Sequence, residues 1–242
     1  MKQLAVKQIE GKDGKFFLLK NDIGVPHALM SAGRYQGTVL KRCLGELSKG
    51  DVVLDIGSNI GSFTIPFAKA VGNEGVVHAF EPQRVIHQIL CGNMCLNGLT
   101  NVYTHNFGLS DKNRPSKIGT KTGRNYSYFD RMPFTHCMIS DDIGERIELR
   151  TLDSLRLPTV AFIKIDIELH EIYCLRGSRE TIQRCRPIIV TELYKRTDKQ
   201  KQLSKQIEKF MGKINYFAEP IVRPNGQTRD VLFRPAEKCK SS

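Results

Sequence analysis

The sequence predicts an α/β fold with a doubly wound, mostly parallel sheet, an antiparallel C-terminal hairpin strand and a small N-terminal extension. Three observations support this prediction. Short apolar runs of the buried-strand type alternate with helical segments along most of the chain. A glycine-bearing loop follows the first of these runs, and a Pro-Asn-Gly turn signal separates the last two strands. With 242 residues, of which 40% are hydrophobic, the chain can bury one substantial core.

The N-terminal extension is predicted to contain a hairpin and then a helix. Strands over Leu4–Ile9 and Phe16–Leu19 flank the turn residues Gly11-Lys12-Asp13-Gly14, and a helix is expected over Ala28–Leu47. The chain is thereby divided into an extension, a main domain and a short tail, over residues 1–48, 49–236 and 237–242.

The first half of the main domain alternates strands with helices. The predicted strands are Val52–Ile56, Gly75–Phe80 and Val102–Asn106, and the helices between them run from Gly57 to about Val71 and from Pro82 to Asn97. Pro66 is tolerated only near the start of a helix, so the regular part of the first helix is expected to begin near Ser62.

The second half continues the alternation after a polar excursion over Asp111–Asp142, for which the sequence indicates no element. Strands are predicted over Arg146–Leu152, Val160–Ile165 and Ile188–Thr191. A helix is predicted from Leu169 with a break at Gly177, and an amphipathic surface helix within Lys195–Lys213. The last predicted element is a hairpin of Ile214–Ala218 and Val231–Phe233. This order places an antiparallel strand at one end of the sheet. Asp153 is expected to cap a helix or a turn.

The loop Asp-x-Gly-x-Asn-x-Gly, from Asp55 to Gly61, has the spacing of a nucleoside-binding βαβ unit. Asn59 replaces the middle glycine of dinucleotide loops, and a carboxylate at Asp55 would repel a pyrophosphate but attract the ammonium and sulfonium of S-adenosylmethionine. Glu81 lies twenty residues beyond Gly61, where an acid accepts hydrogen bonds from both ribose hydroxyls. The pattern therefore favours S-adenosylmethionine over NAD.

A purely structural interpretation of the same residues remains open. The loop is also compatible with an ordinary tight turn between a strand and a helix, and Glu81-Pro82 with an ordinary helix start. Their joint spacing around two apolar strands is what favours a cofactor site.

Four sequence blocks occur in a characteristic order. They are Leu54-Asp55-Ile56-Gly57-Ser58-Asn59-Ile60-Gly61; Ala79-Phe80-Glu81-Pro82 with Asn93-Met94-Cys95-Leu96-Asn97-Gly98; Thr151-Leu152-Asp153-Ser154-Leu155; and Phe162-Ile163-Lys164-Ile165-Asp166-Ile167-Glu168. With Leu175-Arg176-Gly177 and Pro187–Glu192, the chain resembles the FkbM-type family of S-adenosylmethionine-dependent methyltransferases. The resemblance implies a Rossmann-like class I methyltransferase that acts on a hydroxyl of a sugar, lipid or secondary metabolite.

The resemblance also implies roles for individual residues. The loop would hold the methionine end of the cofactor, Glu81 the ribose, and Asn106 and Phe107 the adenine. The complete set expected at the cofactor is Asp55, Gly57, Ser58, Asn59, Gly61, Glu81, Pro82, Asn106 and Phe107. Two departures affect the substrate side, since Leu169 replaces a common glycine and Gln36 replaces an acid.

The candidate catalytic residues are Asp166, Glu168 and His170, which follow the fourth core strand, where open α/β sheets bind ligands. We expect Asp166 to orient the substrate hydroxyl or the cofactor amine, and His170 or Glu168 to accept the proton. The alternative is that Glu168 and Glu171 are helix-start acids while His170 faces solvent. Three nearby acids could also hold Mg²⁺, but their spacing does not require a metal, and no metal ligand is assigned.

Charge and cysteine content bound the partners and the compartment. A net charge of +12 favours an anionic partner, and Lys112–Arg131 mixes basic with aromatic residues, as a substrate lid or an ordinary surface loop would. Seven cysteines without a C-x-x-C pair predict buried thiols, including Cys91 and Cys95, in a reducing cytoplasm. Because no apolar run reaches the ~18 residues of a membrane span, a soluble protein is expected.

The leading hypothesis is an O-methyltransferase acting on a small-molecule, lipid or glycan hydroxyl, of undetermined oligomeric state. RNA 2′-O-methylation is a second hypothesis, motivated by the charge and by Lys164, Asp166, Glu192 and Lys195, which match the lysine and acid set of such enzymes loosely. A non-catalytic nucleoside-binding protein is a third, and a dehydrogenase is a weaker fourth.

Overall fold

A seven-stranded, mostly parallel sheet is the centre of the fold in a computed structural model of the chain. The structure describes residues 5–20, 22, 24–120, 137–140, 144–223 and 229–239. Alternate residues of the central strands belong to different apolar clusters: Leu54 and Ile163 pack on one face of the sheet, and Val53 and Phe162 on the other. Both faces are therefore buried, as a doubly wound fold requires.

The N-terminal extension contains the predicted hairpin, formed by the antiparallel strands β1 (Val6–Glu10) and β2 (Lys15–Leu19). The prediction of one helix over Ala28–Leu47 is wrong. Two helices are present, α1 (Val25–Ala32) and α2 (Gly37–Leu44). Gly33 ends the first with a φ of 70°, and Gln36 precedes the second with a φ of 44°, so left-handed backbone interrupts the helical path.

The first half of the main domain follows the predicted order within one to two residues at most boundaries. Its elements are β3 (Val52–Ile56), α3 (Thr64–Val71), β4 (Val76–Phe80), α4 (Arg84–Leu96) and β5 (Val102–His105). The three strands pair in parallel. Pro66 lies in the first turn of α3, where its missing N–H removes no helical hydrogen bond.

A second, four-stranded sheet fills part of the excursion to which the sequence assigned no element. Its strands are β6 (Gly108–Leu109), β7 (Arg114–Thr120), β8 (Cys137–Ser140) and β9 (Glu145–Arg150), paired in the order β6-β9-β7-β8 as far as the described residues show. The predicted strand over Arg146–Leu152 corresponds to β9. Of the lid predicted over Lys112–Arg131, residues 121–131 lie outside the described residues.

The remaining core elements are β10 (Phe162–Ile165), α5 (Glu171–Arg176), α6 (Arg179–Cys185), β11 (Ile188–Glu192) and α7 (Asp198–Lys213). The predicted break at Gly177 is confirmed, because α5 ends before it and α6 begins after it. Asp153 accepts hydrogen bonds from the backbone N–H groups of Glu180 and Thr181, at 3.1 and 2.8 Å, and so caps α6 as expected.

The chain ends in the antiparallel strands β12 (Tyr216–Pro220) and β13 (Asp230–Pro235). The sheet order is β12-β13-β11-β10-β3-β4-β5, with β13 antiparallel to both of its neighbours. The predicted hairpin strands are confirmed, but the antiparallel strand is not at the end of the sheet. It inserts between β11 and the edge strand β12.

The seven cysteines, which all lie within the described residues, have free thiols. The prediction that Cys91 and Cys95 are buried is wrong: Cys91 is half-buried beside Thr104, and Cys95 is exposed. The inward face of α4 is formed instead by aliphatic residues such as Ile86 and Leu90. Across the described part of the chain, no helix combines the length and the apolar character that crossing a membrane requires.

Candidate active site

A cavity of about 290 Å³ opens at the carboxyl ends of β3, β4, β10 and β11, where open α/β sheets bind ligands. We call its β3–β4 side the glycine-loop half. Among the residues that line this half are Gly57, Asn59, Phe80, Glu81, Pro82, Gly108, Leu109, Ile118 and Cys137. We call the opposite side the charged half. Among its residues are Tyr35, Gln36, Lys164, Asp166, Glu168, Glu192, Tyr194, Arg196, Gln200, Arg223 and Arg229.

The glycine loop is held tightly against the neighbouring strands. The N–H groups of Gly57 and Ser58 both donate to the Phe80 carbonyl, at 3.0 and 3.1 Å. Gly57 has a φ of 80°, and a Cβ at this position would lie 2.0 Å from the Asp166 carbonyl oxygen. Only glycine satisfies both conditions, so the loop brings the ends of β3, β4 and β10 together.

Glu81 is a buried carboxylate on the cavity wall, with 3% of its surface exposed. It accepts hydrogen bonds from the backbone N–H groups of Asn59 and Gln83, at 3.1 and 2.9 Å. Burial raises the pKa of Glu81 to about 7, although both hydrogen bonds act in the opposite direction. The carboxylate is thus fixed in place with acceptor capacity left for a ligand.

The two residues expected at the adenine have other positions. Asn106 donates its side-chain amide to the Glu81 and Pro82 carbonyls, at 3.0 and 3.1 Å, and Phe107 packs edge-on against Phe80. Neither is among the described residues that line the cavity, whereas Gly108 and Leu109 are. The turn after β5 therefore places Gly108 and Leu109 on the cavity wall, two residues further along the chain than expected. The hydrophobic pattern of the strand does not reveal this shift.

The Asp55 carboxylate is fully buried behind the loop rather than on the cavity wall. Thr64 donates its hydroxyl to one carboxylate oxygen at 2.6 Å, and Lys164 Nζ lies 3.2 Å from the other. Direct attraction of a cationic ligand to Asp55, as expected from the sequence, does not fit this placement. Ser58 and Gly61 are also absent from the described cavity lining, and the buried Ser58 hydroxyl has no hydrogen-bond partner among the described residues.

Lys164 joins the two halves of the cavity. Its ammonium lies 3.2 Å from Asp55 and 3.8 Å from Asp166, and it donates to the Gly57 carbonyl at 3.0 Å. Burial lowers the pKa of Lys164, but the two carboxylates more than offset burial, so the pKa is raised. The side chain is therefore a charged, buried cation at neutral pH.

Asp166 and Glu192 form a coupled pair of acids in the charged half. Burial raises both pKa values. The charge of Asp166 raises the pKa of Glu192 further, and the charges of Glu168, Asp230 and Asp55 raise that of Asp166. The pKa of Glu192 rises to about 7, although Arg223 lies 3.3 Å away, while Lys164 opposes the rise at Asp166. Glu192 can therefore hold or release a proton near neutral pH.

Of the three candidate catalytic residues, the structure brings Asp166 and Glu168 to the cavity but not His170. His170 Nε2 lies 2.9 Å from the Ser110 hydroxyl, and its ring stacks on Tyr173. Glu192 is a neighbour of Asp166 that was absent from the predicted catalytic set. Glu192 ends β11, the strand next to β10, and this position is the sequence signal from which it could have been predicted.

The segment after Asp166 has strained backbone. Glu168 and Leu169 have φ values of 51° and 70°, in the left-handed region that favours glycine. This conformation explains why a glycine is expected where the chain has Leu169. The buried carboxylate of Glu171 supports the turn, because it accepts from the N–H groups of Ile167 and Leu169, at 3.4 and 3.2 Å.

The N-terminal extension completes the charged half with Tyr35 and Gln36. The Gln36 amide donates to the Tyr35 hydroxyl at 3.0 Å. Burial, followed by the charges of Asp166 and Glu192, raises the pKa of Tyr35, so it is a neutral hydrogen-bonding group at neutral pH. No group of three or more His, Cys, Asp or Glu side chains in the described residues is arranged to hold a metal ion.

The sheet order and the position of the cavity define the class I methyltransferase fold. A family model described as the methyltransferase FkbM domain matches residues 55–218, which is more than half of the chain. The protein therefore belongs to the FkbM methyltransferase family, as the sequence resemblance implied.

Solved structures show the same fold at low sequence identity. The FkbM methyltransferase from Methylobacillus flagellatus KT has a TM-score of 0.55 and 19% identity; the match covers 77% of this chain but only 44% of that one. An O-methyltransferase from Bacillus cereus in complex with SAH has a TM-score of 0.52 and 15% identity, over 87% and 88% of the two chains.

The O-methyltransferase TomG from Streptomyces achromogenes, which is involved in tomaymycin synthesis and was solved with SAM, has a TM-score of 0.51 and 13% identity, over 83% and 79% of the chains. No curated protein sequence matches significantly.

Proposed function

We propose that this protein transfers a methyl group from S-adenosylmethionine to a hydroxyl group of a small molecule, a lipid or a glycan. The observation that supports the proposal is a single cavity in which a buried acid and a glycine loop face a coupled pair of acids. The buried acid and the glycine loop suit a nucleoside, and the pair of acids suits a hydroxyl that must lose a proton.

The glycine-loop half fits the cofactor. Glu81 would accept hydrogen bonds from the ribose hydroxyls, and its carboxylate is held for that role by two backbone N–H groups. Leu109 and Ile118 provide an apolar wall for the adenine. Gly57 and Asn59 border the space left for the methionine end.

The cofactor supplies an electrophilic methyl group on a sulfonium. The chain's own contribution is to hold the acceptor hydroxyl in line at about 3 Å and to take its proton. Asp166 and Glu192 are the proposed acceptors of that proton, acting as a pair rather than individually. Lys164, at 3.8 Å from Asp166, favours its ionised form.

The RNA alternative has one observation in its favour, because Lys164, Asp166 and Glu192 all line the cavity. Lys195, the fourth residue of that hypothesis, is exposed and is not among the described lining residues. Both hypotheses use the same acids to take a proton from a hydroxyl, so the RNA and small-molecule hypotheses differ only in the acceptor.

Two measurements test the proposal. S-adenosylhomocysteine, but not NADH, should raise the melting temperature, which separates a methyltransferase from a dehydrogenase. Purified protein with radiolabelled S-adenosylmethionine should label a member of a panel of glycans, small hydroxyl compounds and RNA. Asp166→Asn should reduce the labelling by about 10²–10⁴-fold, while the exposed Glu208→Gln should leave it unchanged. Cofactor binding with equal activity in wild type and Asp166→Asn would contradict the proposal.

A further inference from the structure

Among the described residues, four cations line the charged half, and two of them are already paired with acids of the fold. Lys164 is shared between Asp55 and Asp166. Arg223 lies 2.6 Å from Asp230 and 3.3 Å from Glu192. These two cations face four acids and therefore leave no positive charge for a ligand.

Arg196 and Arg229 are different. Both line the cavity, and neither has an ion-pair partner among the described residues. Arg196 is exposed between β11 and α7, and Arg229 is half-buried directly before β13. The backbone N–H of Leu193 donates to the Arg229 carbonyl at 2.7 Å, which fixes the two segments beside each other at the rim.

Resting on the proposed function, we propose that the hydroxyl-bearing acceptor also carries a phosphate group, which Arg196 and Arg229 bind at the rim of the charged half. Guanidinium groups match the oxygens of a phosphate with paired hydrogen bonds. Asp166, Glu168 and Glu192 repel an anion from the interior of the same half. The charge distribution thus orients the acceptor, with the phosphate outward and the hydroxyl toward the acids.

Two sources of phosphate fit this rim, a small phosphorylated hydroxyl compound or an RNA strand. A lysine stripe, formed by Lys201, Lys205, Lys209 and Lys213, begins one residue after Gln200, which lines the cavity. All four lysines are exposed and recur every fourth residue, so the stripe extends about 18 Å along α7. A strand would reach the stripe, whereas a small compound would not.

The test uses the full chain saturated with S-adenosylhomocysteine and two probes, inorganic phosphate and a ten-nucleotide single-stranded RNA. Arg196→Gln/Arg229→Gln is compared with Arg146→Gln/Arg179→Gln, which removes two exposed arginines outside the described cavity lining. We call Arg196→Gln/Arg229→Gln the rim variant and Arg146→Gln/Arg179→Gln the control pair. We expect wild type to bind phosphate, the rim variant to bind it about ten-fold or more weakly, and the control pair to match wild type within about two-fold. Lys205→Gln/Lys209→Gln should weaken RNA binding only if the source is a strand.

The outcomes separate this inference from the proposed function. If wild type does not bind S-adenosylhomocysteine, the proposed function fails. If that ligand binds equally to all variants, but phosphate binds equally to the rim variant and the control pair, the phosphate inference alone is overturned. Absence of both phosphate and RNA binding to wild type also overturns it.

Discussion

The two halves of the cavity are built in different ways. The glycine-loop half depends on backbone geometry within a short stretch of chain, where Gly57 and Glu81 follow neighbouring strands. The charged half combines side chains from distant segments, from Tyr35 near the N-terminus to Arg229 near the C-terminus. The family match covers residues 55–218 and so excludes both of these outer segments. Asp166 and Glu192 of the charged half lie inside the match, so the two halves differ in how their residues are brought together rather than in whether the family match covers them.

The sharpest test of this comparison is Asp166→Asn. If the charged half serves the acceptor, methyl transfer should fall by about 10²–10⁴-fold because the coupled pair of acids is lost. The affinity for S-adenosylhomocysteine should remain within about three-fold of wild type. Radiolabel transfer and calorimetry measure the two effects separately. An equal loss of both would mean that the halves are not functionally distinct.

Lys164→Met tests the connection between the halves. The substitution leaves Asp55 and Asp166 without their shared cation, and Asp55 is fully buried. The free energy of unfolding should fall by about 3–5 kcal/mol, as measured by urea denaturation near pH 7. Lys209→Met, at an exposed position on α7, is the control and should change it by less than about 0.5 kcal/mol. A small effect of Lys164→Met would show that the buried acids do not depend on this lysine.

Glu81→Gln probes the glycine-loop half. Under the proposed function, the ionised carboxylate accepts hydrogen bonds from two ribose hydroxyls, and burial raises its pKa to about 7. The affinity of wild type for S-adenosylhomocysteine should therefore fall as the pH is lowered through 7, by up to about ten-fold per unit. Glu81→Gln should bind about ten-fold or more weakly at pH 8 and show little pH dependence. The exposed Glu74→Gln should behave as wild type; a flat wild-type profile would argue against a ribose contact.

Glu171→Gln gives the smallest expected effect and concerns the support of the charged half. Burial raises the pKa of Glu171 to about 8 in the folded protein, so the native state retains a proton that the unfolded chain has lost. Stability should therefore decline as the pH rises from about 4.5 to 8. Glutamine can still accept from Ile167 and Leu169 but does not ionise. The variant should be more stable than wild type by at least about 1 kcal/mol at pH 8.5 and similar at pH 5, whereas the exposed Glu180→Gln should change neither.

The fold was predictable because its signals are local. Strand β3 was predicted with its observed limits, since an apolar run before a glycine loop has few other interpretations. The break between α1 and α2 was missed although Gly33 ends α1 as a helix-ending glycine often does, and the left-handed conformation of Gln36 is one that its residue type does not indicate. Likewise, the sequence could not show that β13 inserts inside the sheet, because strand order depends on long-range pairing.

The site was predictable only in part, because some of its contacts join residues that are distant in the sequence. Glu81 and Asp166 were identified because each follows a recognisable strand, and both line the cavity. Asp55 was expected to attract the cofactor, but a sequence does not reveal that Lys164, more than a hundred residues away, already neutralises it. His170 is close to Asp166 in sequence, yet the turn at Glu168 directs it toward Ser110.

Calorimetric titration of S-adenosylhomocysteine into wild type, Glu81→Gln and Asp166→Asn tests the central claim most directly. We expect one binding site in wild type, an affinity reduced about ten-fold or more by Glu81→Gln, and an affinity preserved by Asp166→Asn. The absence of binding to wild type, or a loss as large in Asp166→Asn as in Glu81→Gln, would contradict the division of the cavity into a cofactor side and an acceptor side.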